Sequence, residues 1–179
     1  MVIASVCGMI GGLAPDLDIL IRSPEDPLVF WHYHRHFTHA LSFILVGGIL
    51  SGLFAWSLFR KRESLRRVLL WTTVGYATHG LIDALTSYGT WLLWPFSDMR
   101  VSWDVIAVID PLFTLPILGL FAWSLLRPSM RVLLVAFAWM GLYLSASLFQ
   151  HQRAVQALAV FADNRNMKAE HYRVMPSLF

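Results

Sequence analysis

Histidine and aspartate, residue types that commonly bind divalent metals, are concentrated in three short segments of an otherwise apolar chain. The segments are Pro15-Asp16-Leu17-Asp18, His34-Arg35-His36-Phe37-Thr38-His39 and His79-Gly80-Leu81-Ile82-Asp83. An ionisable side chain at the centre of a bilayer costs about 2.5–3.5 kcal/mol on insertion scales, so a group of them is expected to have a partner or a function. A shared metal ion would supply both.

The acidic residues have spacings that suit metal binding. His79 and Asp83 are four residues apart, so on a helix they project from one face and could place a nitrogen and an oxygen on one ion. A simple hydrogen bond between them is an equally good interpretation. Asp16 and Asp18 could present two carboxylates to a cation, or could be a solvated pair at a helix end. Carboxylates beside imidazoles favour zinc, with manganese or iron as alternatives, over calcium.

The histidine-rich segment offers both ligands and a substrate-binding group. His34 and His39 are five residues apart, whereas His36 and His39 are three apart and could share a helical face. Either His34 or His36 is therefore a further ligand or a general base. Thr38 could orient a ligand through a hydrogen bond. Arg35 could bind the oxygens of an anionic substrate, or could anchor the chain to lipid phosphates.

The composition determines which elements must position these side chains. With 57% hydrophobic and only 14% charged residues, the chain is expected to be an integral membrane protein, an all-α polytopic bundle with four to five transmembrane helices. Residues 1–150 are predicted to form the bundle that carries the metal site, and residues 151–179 a polar extramembrane tail. His32, His151 and His171 are predicted to be loop or interfacial residues. The apolar runs cover residues 1–13, 37–59, 68–88, 105–126 and 132–149.

The charges of the loops predict an orientation. Seven basic residues fall in the two loops on one side, and only three fall in the loops on the other. The positive-inside rule places the seven-residue side in the cytoplasm, and all three polar segments then meet at the outer face. The formal charge of +3 is thus explained by orientation, and nucleic-acid binding is not indicated. The seven are Arg60, Lys61, Arg62, Arg66, Arg67, Arg127 and Arg131; the three are Arg22, Arg35 and Arg100.

The motifs, taken in order, resemble a known family. Besides the three segments they include Thr86, Tyr88-Gly89, Leu93-Trp94-Pro95-Phe96-Ser97 and Ile109-Asp110-Pro111-Leu112. This series, over about residues 10–120, resembles the YdjM-like family of inner-membrane, metal-dependent hydrolases. The resemblance implies a bacterial inner-membrane protein with a His/Asp metal site and hydrolase activity. Longer members have a further N-terminal segment and a longer C-terminal part, so the chain is expected to be shortened at both ends.

The sequence thus predicts a membrane-bound hydrolase with a metal site at the outer face. The predicted metal ligands are Asp16, Asp18, His34, His39, His79 and Asp83, and the predicted catalytic residues are His34, Arg35 and His36. The expected partners are the lipid bilayer and a phosphate-ester or lipid-linked substrate. Two other interpretations stay open: a transporter of divalent metal or protons, and a membrane protein whose metal is purely structural. No Gly-x-Ser-x-Gly motif is present, so a serine hydrolase of that type has no support.

Overall fold

The computed structural model describes residues 2–165, 167 and 173–176, and within them the chain is all-α. The predicted fold class, a membrane helical bundle, is confirmed. By length and composition, the helical stretches Leu41–Phe59 and Met130–Asn164 could cross a bilayer, and two shorter apolar helices accompany them. The helices are α1 (Val2–Leu13), α2 (Leu28–Tyr33), α3 (Ile44–Phe59), α4 (Leu65–Ala84), α5 (Pro111–Leu126) and α6 (Met130–Asn164).

The described residues form two compact units. The N-terminal unit contains the described residues up to Ala84 together with Tyr88–Ser102. The C-terminal unit contains Leu85–Ser87 and the described residues from Trp103 onward. All the side chains of the three polar segments belong to the N-terminal unit.

In the N-terminal unit, α1 and α3 both pack against α4. A Cβ atom added at Gly11 of α1 would collide with the backbone of Thr72, and one added at Gly75 would collide with the carbonyl oxygen of Gly8. Close approach of small residues is the usual way in which membrane helices gain packing energy, because lipid and protein side chains are equally apolar. The helix backbones therefore touch, and this contact fixes α1 relative to α4.

In the C-terminal unit, α5 packs on α6. Asp110 caps α5, since its carboxylate accepts a hydrogen bond of 3.1 Å from the backbone N–H of Phe113 and one of 2.7 Å from the hydroxyl of Tyr143. Val105 and Ile106 precede the cap and form the small buried core of this unit with Phe113. Both of their N–H groups donate to the carbonyl oxygen of Leu85.

The helix boundaries differ from the predicted runs at several places, and the run at 132–149 lies within the longer helix Met130–Asn164. The run at 37–59 becomes helical only at Ile44, after the 3-10 turns Phe37–His39 and Leu41–Phe43. The run at 105–126 begins its helix at Pro111, because proline suits the first helical turn and the residues before it are extended. The run at 68–88 is a helix over Leu65–Ala84. Apolarity marks segments at bilayer depth, whereas backbone hydrogen bonding decides where a helix begins.

The predicted division into a bundle over 1–150 and a tail over 151–179 stays a prediction. Helix α6 continues without interruption through residue 150 to Asn164. His151 lies on this helix, whereas His171 lies outside the described residues.

Candidate metal centre

Four of the predicted ligands come together in the N-terminal unit. One nitrogen or oxygen from each of Asp16, His39, His79 and Asp83 lies within 4.8 Å of the corresponding atoms of the other three. Asp16 lies in a 3-10 turn that begins at Pro15, which ends the apolar pattern of α1. His39 is the last residue of the 3-10 turn Phe37–His39, and His79 and Asp83 lie one turn apart near the end of α4. Three separate elements therefore contribute to one cluster.

The separations between these atoms fit a single small cation. The Nε2 atom of His39 lies 3.0 Å from Nε2 of His79, 3.2 Å from Oδ2 of Asp83 and 3.5 Å from Oδ1 of Asp16. The Nε2 atom of His79 lies 3.4 Å from Asp16 Oδ1 and 3.5 Å from Asp83 Oδ2. Four ligands bonded at about 2.0–2.2 Å to a tetrahedral ion are about 3.3–3.6 Å apart. The donor set and its spacing thus suit a divalent metal such as zinc.

Asp18, a predicted ligand, lies behind His39. Its Oδ2 atom is 3.3 Å from His39 Nδ1 and accepts hydrogen bonds of 2.9 Å from the Thr38 hydroxyl and 2.8 Å from the backbone N–H of Arg35. Its Oδ1 atom is 2.8 Å from Nδ1 of His34. A carboxylate on Nδ1 keeps the proton there and leaves Nε2 to bind the metal, as in many carboxylate–histidine–zinc arrangements. Asp18 therefore orients His39, and His34 forms a hydrogen bond with Asp18 beside the cluster.

Helix α4 packs directly on the turn that carries His39. A Cβ atom at Gly80, the residue after His79, would collide with the carbonyl oxygen of His39. One turn earlier, the Tyr76 hydroxyl donates a hydrogen bond of 2.7 Å to the carbonyl oxygen of Thr38. These two contacts hold the backbone of His39 close to α4 and so keep the His39 and His79 rings beside each other.

The close pairing of carboxylates and histidines in the cluster shifts their pKa values in opposite directions. Burial by itself would raise the pKa of Asp16, but hydrogen bonds from His39 and His79 outweigh it and lower that pKa well below its usual range. Burial by itself would lower the pKa of His39, but hydrogen bonds to Asp16, Asp18 and Asp83 outweigh it and raise the pKa to about 10. Without an ion the cluster is therefore stabilised by charged hydrogen bonds, and an ion would replace the proton of His39.

Arg35 lies beside the cluster in a fixed conformation. Its Nε atom is 3.2 Å from Asp83 Oδ2, and its guanidinium carbon lies 4.9 Å from the centre of the Tyr88 ring. Its φ of 62° is in the left-handed region, which is uncommon for a residue other than glycine. Both of its backbone polar groups are bound: the N–H donates to Asp18, and the carbonyl accepts from the N–H of Trp91 and the hydroxyl of Thr90. These bonds compensate for the strained backbone.

The structure separates the other histidines of the second segment. The His36 ring lies 5.0 Å from the ring of Trp91 and 5.7 Å from that of Trp94, in an aromatic group that also contains His32. Burial, together with the charge of His32, lowers the pKa of His36. The His34 ring stacks on Phe30. His34 thus lies next to the metal cluster, whereas His36 faces aromatic residues.

Three residues that matter at this site were not predicted from the sequence. Tyr76 and Gly80 position the ligands, and Arg100 lies against Tyr88 with its guanidinium carbon 4.0 Å from the ring centre. Gly80 carries a usable signal, because a glycine beside a candidate ligand in an apolar helix indicates a close backbone approach. Arg100 carries no comparable signal, since no sequence spacing indicates its contacts with Tyr88 and Trp91.

Comparisons with known proteins identify an inner-membrane protein family. The family described as YdjM inner membrane protein matches residues 2–154. Inner membrane protein YbcI of Escherichia coli (strain K12) is 36% identical over 107 residues, which are 56% of this chain and 60% of that protein. The chain therefore spans less than two thirds of the length of this curated relative. No solved structure is similar enough to match.

Proposed function

The chain belongs to the YdjM inner membrane protein family, and on that premise we propose that it is a multi-pass, metal-dependent hydrolase of the bacterial inner membrane. The observation that carries the proposal is the cluster of Asp16, His39, His79 and Asp83, whose ligand atoms are spaced for one ion. Zinc suits these ligands best, and manganese or iron is the alternative. When bound, the ion would supply Lewis-acid chemistry and lower the pKa of water.

The surrounding residues supply binding and proton transfer. Arg35 offers guanidinium donors next to Asp83, where the oxygen of an anionic group could be held. His34 has its Nδ1 atom engaged by Asp18, so its Nε2 atom is the one that would accept or donate a proton. His34 suits this task better than His36, whose ring contacts Trp91 and Trp94.

The accessibility of the cluster favours a catalytic ion over a structural one. The His39 side chain is fully buried, whereas 42% of the Asp16 side chain is exposed. A structural zinc is enclosed by four protein ligands, whereas a catalytic zinc keeps one position for water or substrate. Substrate would therefore approach the cluster on the side of Asp16.

Helix α4 supports an outer-face location for the site. The loop between α3 and α4 contains Arg60, Lys61 and Arg62, and two further arginines follow in the first turn of α4. Leu65 and Asp83 are 18 residues apart on this helix, so the basic end lies about 27 Å from the cluster at 1.5 Å per residue. With the basic end in the cytoplasm, the cluster reaches the outer face. At headgroup level, a phosphate ester or another lipid-linked molecule is the proposed substrate.

Elemental analysis of the detergent-purified protein tests the metal site directly. We expect one ion per chain in the wild type and none in His79→Ala or Asp83→Ala, because each removes one of the four ligands. His151→Ala is the matched control, since it removes a histidine of the C-terminal unit. Unchanged metal content in both ligand variants would refute the site. A metal-loaded wild type that hydrolyses neither soluble phosphate esters nor phosphatidate would refute the hydrolase proposal and favour a structural ion.

A further inference from the structure

Arg100 is held against two aromatic rings of the N-terminal unit. Its guanidinium carbon lies 4.0 Å from the ring centre of Tyr88 and 4.5 Å from that of Trp91. Stacking of this kind is attractive and fixes the plane of the guanidinium. The N–H groups at the edge of that plane stay available for hydrogen bonding.

Those N–H groups have no acceptor within the part of the chain that the structure describes. The Nε and Nη2 atoms of Arg100 are both buried and without a hydrogen-bond partner among the described residues. A buried charged donor without an acceptor is costly, so native structures normally supply one. An anion that reaches this point would meet two donors of one rigid fork.

The loop that carries Arg100 is fixed by backbone hydrogen bonds. The N–H of Thr90 donates to the carbonyl oxygen of Val101 at 2.9 Å, and the N–H of Val101 donates back to Thr90 at 2.8 Å. Gly89, at the start of this pairing, has a φ of 67°, which favours glycine. Arg100 directly precedes Val101, so the backbone hydrogen bonds of Val101 fix the backbone position of Arg100.

Tyr88 connects Arg100 to the metal centre. The guanidinium of Arg35 lies against the same ring at 4.9 Å, and the Nε atom of Arg35 is 3.2 Å from Asp83. From the two ring distances, the guanidinium carbons of Arg35 and Arg100 are at most about 9 Å apart. The His34 ring lies 5.9 Å from the same tyrosine ring. Two guanidinium groups and a histidine therefore surround Tyr88 next to the cluster.

We propose that Arg100 is a specificity-determining residue that binds a phosphoryl group of the substrate, together with Arg35 on the shared Tyr88 ring. The inference rests on the proposed function for the identity of the neighbouring site. A phosphoryl group is favoured over a carboxylate because its several oxygens can bind more than one guanidinium fork and still face the metal cluster. The phosphoryl group could belong to a lipid headgroup or to a soluble phosphate.

Isothermal titration calorimetry on the zinc-loaded, detergent-solubilised full chain tests this assignment. The probes are inorganic phosphate and dioctanoyl phosphatidate, titrated into wild type, Arg100→Ala and Arg100→Lys. The matched control is Arg22→Ala, because Arg22 also lies over an aromatic ring, that of Phe30, in the same unit. We expect Arg100→Ala to weaken binding of at least one probe by about tenfold to a hundredfold. The affinity of Arg100→Lys should lie between those of the wild type and Arg100→Ala, since an ammonium keeps the charge but lacks the two parallel N–H donors of a guanidinium.

The possible outcomes separate the ligand sources and the two proposals. If Arg100→Ala weakens the binding of phosphatidate alone, the ligand is a lipid headgroup. If it weakens the binding of inorganic phosphate equally, the ligand is a soluble phosphate. Wild-type affinity in Arg100→Ala, or no binding of either probe to the wild type, overturns the inference. Zinc content is measured on every variant to check that the metal site is intact. Where Arg100→Ala does not fold, the affinity of Arg100→Lys for the two probes tests the inference instead. Binding of either probe by a protein that hydrolyses neither phosphatidate nor soluble phosphate esters would refute the proposed function and leave this inference standing.

Discussion

The glycines of the two units have different surroundings. In the N-terminal unit, a Cβ atom at Gly11, Gly75 or Gly80 would collide with the backbone of a neighbouring element. In the C-terminal unit, apart from the neighbouring backbone of their own helices, Gly119 and Gly141 have no described atom within 4 Å of the corresponding position. The helices of the first unit thus pack at backbone contact, whereas the helical glycines of the second face open space.

This difference follows the location of the polar cluster. Its four candidate ligands come from three elements, so any shift of a helix would change the distances between their nitrogen and oxygen atoms. Contact between backbones restricts sliding and rotation more than contact between flexible side chains does. Helix α6, by contrast, buries none of its described residues and exposes large apolar side chains such as Phe137 and Leu142. Such a surface suits a lipid environment, and it does not require an exact position of the helix relative to its neighbours.

Adding one methyl group at Gly80 should have the largest effect on this packing. We expect Gly80→Ala to destabilise the protein by about 3 kcal/mol, the upper part of the range for overpacked sites, because the methyl group meets the backbone of His39. It should also lower the metal content, since the turn carrying His39 must shift. Thermal unfolding in detergent and elemental analysis measure the two effects.

Gly119→Ala is the matched control for this substitution. It lies inside α5 with open space around it, so alanine should be neutral or stabilising by about 0.5–1 kcal/mol through helix propensity. Equal unfolding temperatures and metal contents in the two variants would show that the close approach at Gly80 does not position the ligands.

Part of this site could be predicted from the sequence. Composition predicted the all-α membrane class, and the motifs predicted the family; both are confirmed. The four-residue spacing of His79 and Asp83 indicated a shared helical face, which α4 supplies. The sequence could not distinguish Asp16 from Asp18, because both lie in a 3-10 turn whose rotation decides which carboxylate faces the cluster. The position of Arg100 depends on contacts with Tyr88 and Trp91, which no local pattern encodes.

Removing the charge of Asp18 tests whether it acts through His39. We expect Asp18→Asn to weaken metal affinity by about tenfold to a hundredfold, as is typical when a carboxylate behind a ligating histidine is lost. The number of ions bound at saturation should stay the same, because the four ligand atoms are retained. A competition titration with a chelator of known affinity measures the change.

Asp26→Asn is the control for loss of an acidic side chain in the same unit. Asp26 is exposed, and its carboxylate accepts a hydrogen bond of 2.9 Å from the backbone N–H of Leu28. Its substitution should leave metal affinity unchanged. Complete loss of the ion in Asp18→Asn would instead identify Asp18 as a direct ligand, as the sequence predicted.

Substitution of Asp110 in the C-terminal unit should have the smallest effect on stability and metal content, although this residue belongs to the motif series that resembles the family. Its carboxylate is engaged by the backbone N–H of Phe113 and the hydroxyl of Tyr143, which together account for a buried acid without any ion. We expect Asp110→Ala to reduce the free energy of unfolding by about 1 kcal/mol, the usual cost of losing a helix cap, and to leave metal content unchanged. Asp110→Asn should recover much of that loss, because the amide oxygen can still accept from Phe113. A fall in metal content in Asp110→Ala at an unchanged unfolding temperature would contradict this capping role and would make the C-terminal unit part of the metal chemistry.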